Sequence, residues 1–344
     1  MRAAVVRSFH EDLSIETVSD PACPDNGVVL ELAACGVCRS DYHGWTGGHP
    51  KVHNGSVLGH EYCGTVVEAG PHAQYRTGDR LIAPFILGCG SCDACHTGVS
   101  NTCANQIVPG FGTPGAYAEY VAVPYDHNLV RLPESLSPAL AAGLGCRVTT
   151  AWHALTDRAD VKAGDWVAVH GTGGIGLSVL LLAKMLGAQV VVVDIVDEKL
   201  DHAKQHGADA TVNAAKADVA AAIQDITGGG AQVSIEALGI EATTNASVAC
   251  LATLGRHVQI GMPTGDGLMR VNMRAIYTKQ LSFFGTRGMP SWKYPRLLDL
   301  IERGDVDIRP MVAREIALSG ASAELRAMDG PTSPGTAVIT DFSR

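Results

Sequence analysis

The stretch that decides the fold is WVAVHGTGGIG, residues 166–176, in which five strand-forming residues run into a glycine-rich turn. Gly171 suits the tight turn, Gly173 leaves room for a pyrophosphate, and Gly176 lets the following helix pack on the sheet. The phosphates would lie at the positive end of that helix. The pattern predicts a dinucleotide site whose turn residues are Gly171, Gly173, Gly174, Ile175 and Gly176.

An acidic residue ends the next predicted strand. Asp194 follows Gln189–Val193 and lies 18 residues beyond Gly176, where a carboxylate would bind the adenosine ribose hydroxyls. Neither Ile195 nor Val196 is an arginine that would hold a 2′-phosphate. The pattern therefore favours NAD over NADP. The alternative interpretation is a buried glycine turn beside a surface aspartate.

The chain changes character along its length. From Trp166 onward, apolar strand-like runs alternate with helical segments, which is typical of a parallel sheet covered on both faces. Before about residue 150, short strand-like runs are separated by turns rich in glycine and proline. We therefore predict an α/β protein with a doubly wound parallel sheet of the Rossmann type and a second, β-rich domain.

Composition limits the possible functions. The 344 residues are enough for about two domains, and 46% of them are apolar, as expected for a globular protein. The net charge is −9 and no basic run occurs, so we expect neither nucleic acid nor an anionic membrane as a partner. Because the sequence shows neither a targeting signal nor a long apolar span, we predict a cytoplasmic protein.

Four of the ten cysteines have the spacing C-x2-C-x2-C-x7-C. Thiolates at such intervals can surround one tetrahedral ion and leave no open position, which predicts a structural zinc site in a lobe at 88–104. An iron–sulfur cluster is an alternative, and disulfides are disfavoured in a cytosolic chain of this size. The four predicted ligands are Cys89, Cys92, Cys95 and Cys103.

A second, more dispersed set contains Cys38, His60 and Cys146. Two thiolates and one imidazole leave a fourth position on zinc for water or substrate, as in a catalytic site. Asp41 and Glu61 are close enough in sequence to orient these ligands. The alternatives are a core histidine with a packed cysteine, and a redox dithiol formed by Cys38 with Cys35, two residues of a C-x2-C pair.

Five motifs in this order resemble those of the zinc-dependent medium-chain alcohol dehydrogenase/reductase family. They are CGVCRSDYH at 35–43, Gly59-His60-Glu61, the four-cysteine lobe, Gly145-Cys146 and the glycine-rich turn. The resemblance covers essentially the whole chain. It implies a GroES-like, β-rich catalytic domain formed by residues 1–150 and 286–344, with the NAD-binding Rossmann domain, 151–285, inserted between them.

The resemblance also implies roles for individual residues. Cys38, His60 and Cys146 match the catalytic zinc ligands, and Glu61 matches a carboxylate that can approach the metal. Ser40 matches the hydroxyl that takes the substrate proton, and His43 the residue that passes it to solvent. The matched cofactor contacts are Arg39 at the pyrophosphate, Thr150 near the nicotinamide, and Asp194 and Lys199 at the adenosine ribose.

The predicted substrate pocket includes one residue from the resemblance and two departures from it. Phe85 falls where the family places an aromatic wall. Trp45 belongs to the bulky stretch 44–50, and Arg147 follows a zinc ligand where small residues are common, so both are predicted to shape or charge the pocket.

The resemblance implies an NAD-dependent zinc alcohol dehydrogenase with two zinc ions per chain. Its substrate would be a primary or secondary alcohol, or the corresponding aldehyde or ketone, and its assembly a homotetramer, with a dimer as the other possibility. A polyol dehydrogenase of the same superfamily is an alternative, against which Cys146 argues, because those enzymes commonly have a carboxylate there. A protein of another class, which binds NAD and zinc for redox sensing without catalysis, is a further alternative.

Overall fold

The N-terminal part of the chain is built from short strands. The structure is a computed structural model that describes residues 1–263, 265–330 and 335–344. The strands of this part are β1 (Arg2–Val5), β2 (Ser14–Thr17), β3 (Val28–Gly36), β4 (Glu61–Ala69), β5 (Arg80–Ile82), β6 (Tyr120–Val123) and β7 (Val130–Arg131). The helices are α1 (Arg39–Trp45), α2 (Asp93–His96), α3 (Pro138–Gly143) and α4 (Thr149–His153), and π-helical turns at Leu144–Val148 and Ala154–Arg158 flank α4.

Strands and helices then alternate, as the sequence predicts. The strands are β8 (Trp166–His170), β9 (Gln189–Asp194), β10 (Ala210–Asn213), β11 (Ala231–Glu236), β12 (Leu251–Gln259) and β13 (Ser282–Gly285). The helices between them are α5 (Gly174–Met185), α6 (Asp197–Gln205), α7 (Val219–Thr227), α8 (Glu241–Ala249) and α9 (Met273–Lys279). All these strands pair in parallel, in the order β10-β9-β8-β11-β12-β13. We call them the parallel sheet, and its Rossmann-like topology confirms the predicted fold class.

The C-terminal segment returns to the N-terminal strands. It contains α10 (Tyr294–Glu302), β14 (Val312–Ala317), α11 (Ala321–Ala327) and β15 (Thr336–Asp341). Strand β15 pairs antiparallel with β3 and parallel with β14. The resulting mixed sheet has the order β14-β15-β3-β4-β5-β7, with β6 also paired to β3. A β-rich unit thus contains both ends of the chain.

Apolar packing joins the two units. The largest buried cluster contains Ala34, Cys63 and Ile82 of the mixed sheet together with Val167 and Val169 of the parallel sheet. Buried residues of α3, α4 and the π-helical turns connect them. The helical connection is therefore part of a continuous core rather than a loose linker.

Two histidines are buried within the parallel sheet. His170 ends β8 and His257 lies in β12, and their residues are 1% and 0% exposed. The hydroxyls of Ser234 and Ser247 lie 3.2 and 3.0 Å from Nδ1 of His257, within hydrogen-bond distance. Burial lowers the pKa of His170 to about 3, with His257 as a second cause. Burial also lowers the pKa of His257 to about 4.

No helix in the described ranges combines the length and the apolar character that a membrane crossing requires.

The buried histidines predict a loss of stability in mild acid. Below the ordinary pKa of about 6.5, the unfolded chain binds protons that the folded chain does not, so the free energy of unfolding falls as the pH falls toward 4. Each histidine contributes a slope of about 1.4 kcal/mol per pH unit. We expect His257→Gln to reduce this slope by about 1.4 kcal/mol per pH unit between pH 6 and 4.5, which corresponds to about one proton. Urea unfolding at a series of pH values measures the slope.

The exposed His53 provides the control, because His53→Gln should leave the slope unchanged. All other titrating groups are the same in the wild type and in the two variants. An equal slope in wild type and His257→Gln would contradict this prediction.

Candidate functional site

Four side chains from distant parts of the chain form a buried cluster. Cys38, His60, Glu61 and Cys146 each offer one ligand atom, and these atoms all lie within 4.8 Å of one another. We call this group the open cluster. The structure therefore brings together the three residues that the sequence suggests as catalytic metal ligands, with the nearby carboxylate.

Strand pairing places two of these residues side by side. Strands β3 and β4 are antiparallel, with Gly36 opposite Glu61. Cys38 follows the end of β3 and His60 precedes the start of β4, so both extend from the same end of the pair. Cys146 comes from the π-helical turn after α3, a wider turn that often occurs at functional sites.

Asp41 fixes the geometry of the open cluster. Its Oδ2 accepts a hydrogen bond from the backbone N–H of Cys38 at 3.0 Å. Its Oδ1 lies 3.0 Å from the backbone nitrogen of Gly59 and 3.0 Å from Nδ1 of His60. Asp41 is fully buried. Such a carboxylate holds the imidazole with Nδ1–H as the donor and leaves Nε2 free to bind a ligand.

The donor atoms of the open cluster fit a divalent metal ion. Nε2 of His60 is buried and has no hydrogen-bond partner among the described residues. A hydrogen bond from the Cys146 thiol is the main cause that holds the pKa of Cys38 well below its ordinary value. The same bond raises the pKa of Cys146. Two thiolates this close repel each other unless a cation lies between them, so the set suits zinc.

Glu61 is a buried carboxylate next to the donor atoms of Cys38, His60 and Cys146. Its Oε2 lies 3.3 Å from Nη2 of Arg147, without the geometry of a hydrogen bond. Burial is the main cause that raises the pKa of Glu61, which Arg147 partly opposes. A Cβ at Gly36 would lie 2.5 Å from Oε2 of Glu61, so only glycine fits opposite this carboxylate.

The four-cysteine lobe has the dimensions of a tetrahedral site. The sulfur of Cys92 lies 3.6 Å from those of Cys95 and Cys103, and Cys103 lies 3.5 Å from Cys89. Four sulfurs at about 2.3 Å from one zinc ion would be about 3.8 Å apart. A disulfide requires about 2.05 Å, and all ten cysteines are free. The lobe therefore fits a closed metal site.

The nucleotide turn, Gly171–Gly176, meets three separate spatial demands. Gly171 has a φ of 98°, a conformation that favours glycine. A Cβ at Gly173 would meet no atom within 4 Å, so the backbone here faces open space. A Cβ at Gly176 would lie 1.9 Å from the carbonyl oxygen of Gly171, which forces a close approach of helix and turn. Ile175, the second residue of α5, packs against the core.

Asp194 connects the turn to the next strand. Its Oδ2 accepts hydrogen bonds from the backbone and hydroxyl of Thr172, and its Oδ1 from the backbone of Ile195 and Val196. Burial raises the pKa of Asp194, but these hydrogen bonds outweigh it and lower the pKa. Lys199 and Thr172 both line a small cleft beside this carboxylate.

The other predicted site residues lie at varying distances from the open cluster. Oγ of Ser40 lies 3.9 Å from Sγ of Cys38, and His43 is half-buried on the same helix, α1. The hydroxyl of Thr150 accepts a hydrogen bond from the backbone of Gly288.

Arg39 is exposed and contacts two residues of the β-rich unit. Its guanidinium donates to the carbonyl of Met328 and lies over the ring of Tyr42, 4.8 Å from the centroid. The contacts that the structure shows for Arg39 are thus with α1 and the end of α11. Its role at the pyrophosphate stays a prediction.

Aromatic rings flank His60. The ring centroids of Phe85 and Phe111 lie 5.8 and 5.4 Å from that of His60. Two basic residues border these rings: Arg287 lies over Phe85, and His49 lies against Phe111. His49 belongs to the bulky stretch 44–50 noted in the sequence, whereas Arg287 is far from every motif and no spacing pattern indicates it.

Two predicted pocket residues have other roles. The ring of Trp45 is 1% exposed, packs in the core of the mixed sheet, and donates its indole N–H to the carbonyl of Glu11. Arg147 is also buried, and its guanidinium reaches Val37 and Thr336. Neither side chain is free to line a substrate pocket, so both predictions are corrected.

The redox-dithiol alternative also disagrees with the structure. Cys35 is fully buried in the core of the mixed sheet. Cys38, in contrast, joins His60 and Cys146 in the open cluster. Cys35 and Cys38 therefore lie in different environments and do not form a redox dithiol in this structure.

Comparison with known proteins gives consistent matches over both units. Residues 24–134 match the family described as alcohol dehydrogenase GroES-like domain. Residues 174–303 match the family described as zinc-binding dehydrogenase.

Individual relatives extend these matches. An alcohol dehydrogenase of Geobacillus stearothermophilus is 36% identical over 266 residues, which are 76% of this chain and 78% of that protein. A D-arabitol-phosphate dehydrogenase of Enterococcus avium is 28% identical and covers 90% of this chain and 89% of its own. The solved alcohol dehydrogenase of Thermus sp. ATN1 superposes with a TM-score of 0.91 at 28% identity, covering 99% of this chain and 100% of that one.

The two cysteine groups predict different consequences of metal loss. We expect Cys92→Ser to remove one zinc ion per chain and to lower the melting temperature by several degrees, because the lobe has no other means of holding its sulfurs together. We expect Cys146→Ser to remove the other ion with a smaller effect on melting. Zinc analysis and calorimetry measure both. Equal zinc content in Cys92→Ser and wild type would contradict the structural site.

Proposed function

Because the chain belongs to the zinc-dependent medium-chain alcohol dehydrogenase family, we propose that it transfers hydride between an alcohol and NAD. The alcohol loses a hydride and a proton and becomes an aldehyde or ketone, while NAD⁺ becomes NADH. The observation that carries the proposal is the open cluster, in which the unpartnered Nε2 of His60 faces two thiols.

The cofactors supply the part of the chemistry that side chains lack. When bound, zinc acts as a Lewis acid toward the substrate oxygen, and the nicotinamide accepts or donates the hydride. Cys38, His60 and Cys146 would hold the catalytic ion, with Glu61 beside them. Asp41 keeps these donors in place before any ligand binds, because it is hydrogen-bonded to both Cys38 and His60.

The nucleotide turn would bind the pyrophosphate. The open space at Gly173 lets a phosphate approach the backbone N–H groups at the start of α5. We propose that the adenosine ribose binds beside Asp194 and Lys199. Lys199 lines the adjoining cleft with Thr172, whose backbone N–H donates to Asp194. Thr150 is the second residue of α4, four residues after Cys146, and in this proposal it contacts the nicotinamide.

The proton would leave along α1. Ser40 lies beside Cys38 and accepts the proton of the substrate hydroxyl in this proposal. His43 follows three residues later, on the same side of the helix. Burial, and then the charge of Arg39, lower the pKa of His43. A neutral imidazole at pH 7 can accept the proton and release it to solvent.

We further propose that the protein is a cytoplasmic homotetramer, with a homodimer as the other possibility. Strand β13 ends the parallel sheet in the described residues, so its outer backbone groups are available for pairing. Phe283 on this strand and Tyr277 on the neighbouring helix α9 are exposed, by 41% and 83%. A second copy would cover these rings, and sedimentation would then give a multimeric mass.

An alcohol panel tests the proposed reaction. We expect the wild-type protein to reduce NAD⁺ with at least one of a series of primary alcohols, secondary alcohols and polyols. His60→Ala should lower kcat/KM by more than about 10³-fold, because the metal supplies several kcal/mol to the transition state. NADH should still bind to this variant, as measured by fluorescence, because the nucleotide turn is intact.

His53→Ala is the matched control, since His53 is exposed and outside the open cluster. Turnover by His60→Ala at the wild-type rate would refute the catalytic role of the cluster. A preference for polyols would support the alternative polyol dehydrogenase.

The carboxylate of Asp194 predicts the nucleotide preference. A negative charge at the ribose repels the 2′-phosphate of NADP. We expect Asp194→Gly to reduce the ratio of kcat/KM for NAD to that for NADP by about 10-fold or more. Asp197→Gly, at the start of α6, should leave the ratio unchanged. An unchanged ratio in Asp194→Gly would contradict the ribose role.

A further inference from the structure

Arg147 is a buried cation that directly follows Cys146 in sequence. Its side chain is 7% exposed. Nη2 donates to the carbonyl oxygen of Val37 at 2.6 Å, and Nη1 donates to the hydroxyl of Thr336. Nη2 also lies 3.3 Å from Oε2 of Glu61. The guanidinium is therefore held in one orientation next to the open cluster.

The stem of the same side chain reaches the nucleotide turn. A Cβ at Gly174 would lie 2.3 Å from Cδ of Arg147 and 2.9 Å from its Nε. Gly174 is the first residue of α5. The turn thus packs closely on the arginine, and a methyl group at Gly174 would displace the Arg147 side chain.

Arg147 also balances the charge of Glu61 beside the open cluster. Two thiolates neutralise a divalent ion, so an ionised Glu61 is an excess negative charge that needs its own partner. Both carboxylate oxygens of Glu61 lack hydrogen-bond partners among the described residues. An unpaired buried carboxylate is strongly unfavourable, and Arg147 supplies the compensating charge at 3.3 Å.

We propose that Arg147 is a positioning residue that couples the open cluster to the nucleotide turn. The guanidinium holds Glu61 beside the metal ligands, and the stem supports Gly174, so that a change on either side moves the other. The inference rests on the proposed function. It assigns a role to a residue that departs from the family pattern, and it predicts reciprocal effects between metal and nucleotide binding.

Substitution of Arg147 tests the coupling in the zinc-loaded protein. We expect Arg147→Met to release one of the two zinc ions ~10–100-fold faster to a chromophoric chelator. The Kd for NADH should rise by about 10-fold in the same variant, as measured by fluorescence. Arg147→Lys keeps the charge without the two-pronged geometry and should restore part of both properties.

Arg256→Met is the matched control. Arg256 donates to the carboxylate of Asp165 and to the carbonyl of Ala159, so it makes comparable bonds in the parallel sheet, outside the open cluster. We expect this variant to lose stability without a change in zinc release or in NADH affinity. If Arg147→Met folds and shows the zinc release and NADH affinity of Arg256→Met, the proposal is overturned.

A second variant tests the coupling without removing the charge of Arg147. Gly174→Ala places a methyl group against the stem of Arg147, and we expect it to accelerate zinc release although it alters no metal ligand. Adding Gly174→Ala to Arg147→Ala should have no further effect on zinc release, because the clash is then absent. Independent, additive effects of the two substitutions would contradict the coupling.

The wild-type measurements separate this inference from the proposed function. A wild-type protein without two zinc ions or without NADH affinity would contradict the proposed function itself. Two zinc ions and normal NADH binding in wild type, with no change in the Arg147 variants, would overturn only the coupling.

Discussion

The site depends on one buried carboxylate, that of Asp41. It accepts hydrogen bonds from the backbone of Cys38 and Gly59, which follow β3 and precede β4, and it also holds the ring of His60. The strand pair alone would leave its two ends free to splay. By joining them, Asp41 converts an ordinary antiparallel pair into a rigid frame for metal ligands, in which the imidazole already has the required tautomer.

Much of the fold could be predicted because its signals are local. The apolar run Trp166–His170 is a strand in the structure with the predicted bounds, and the sequence-derived turn Gly171–Gly176 follows it as expected. Strand β13 is not predicted, since its four residues form a short exposed edge. Its place in the sheet is set by pairing with β12, which no local pattern encodes.

In the candidate site, too, local spacing predicts one part, and tertiary structure determines the other. The spacing of the four-cysteine lobe indicates its closed geometry, whereas the open cluster needs the resemblance. The pairing of β3 with β4 brings Cys38 near His60, and the π-helical turn after α3 adds Cys146 from a distant part of the chain. Trp45 and Arg147 were assigned to the pocket because of their size and charge. The direction of each side chain depends on packing instead: α1 turns Trp45 into the core, and the π-helical turn directs Arg147 toward Glu61.

The continuous core between the two sheets restricts how the protein moves during turnover. A wide hinge rotation of the units would open voids among Ile82, Val167 and their neighbours, at a cost of about 24 cal/mol per Å³. This cost opposes wide rotation of the units and is smaller for motions in which packed helices slide by small amounts over one another.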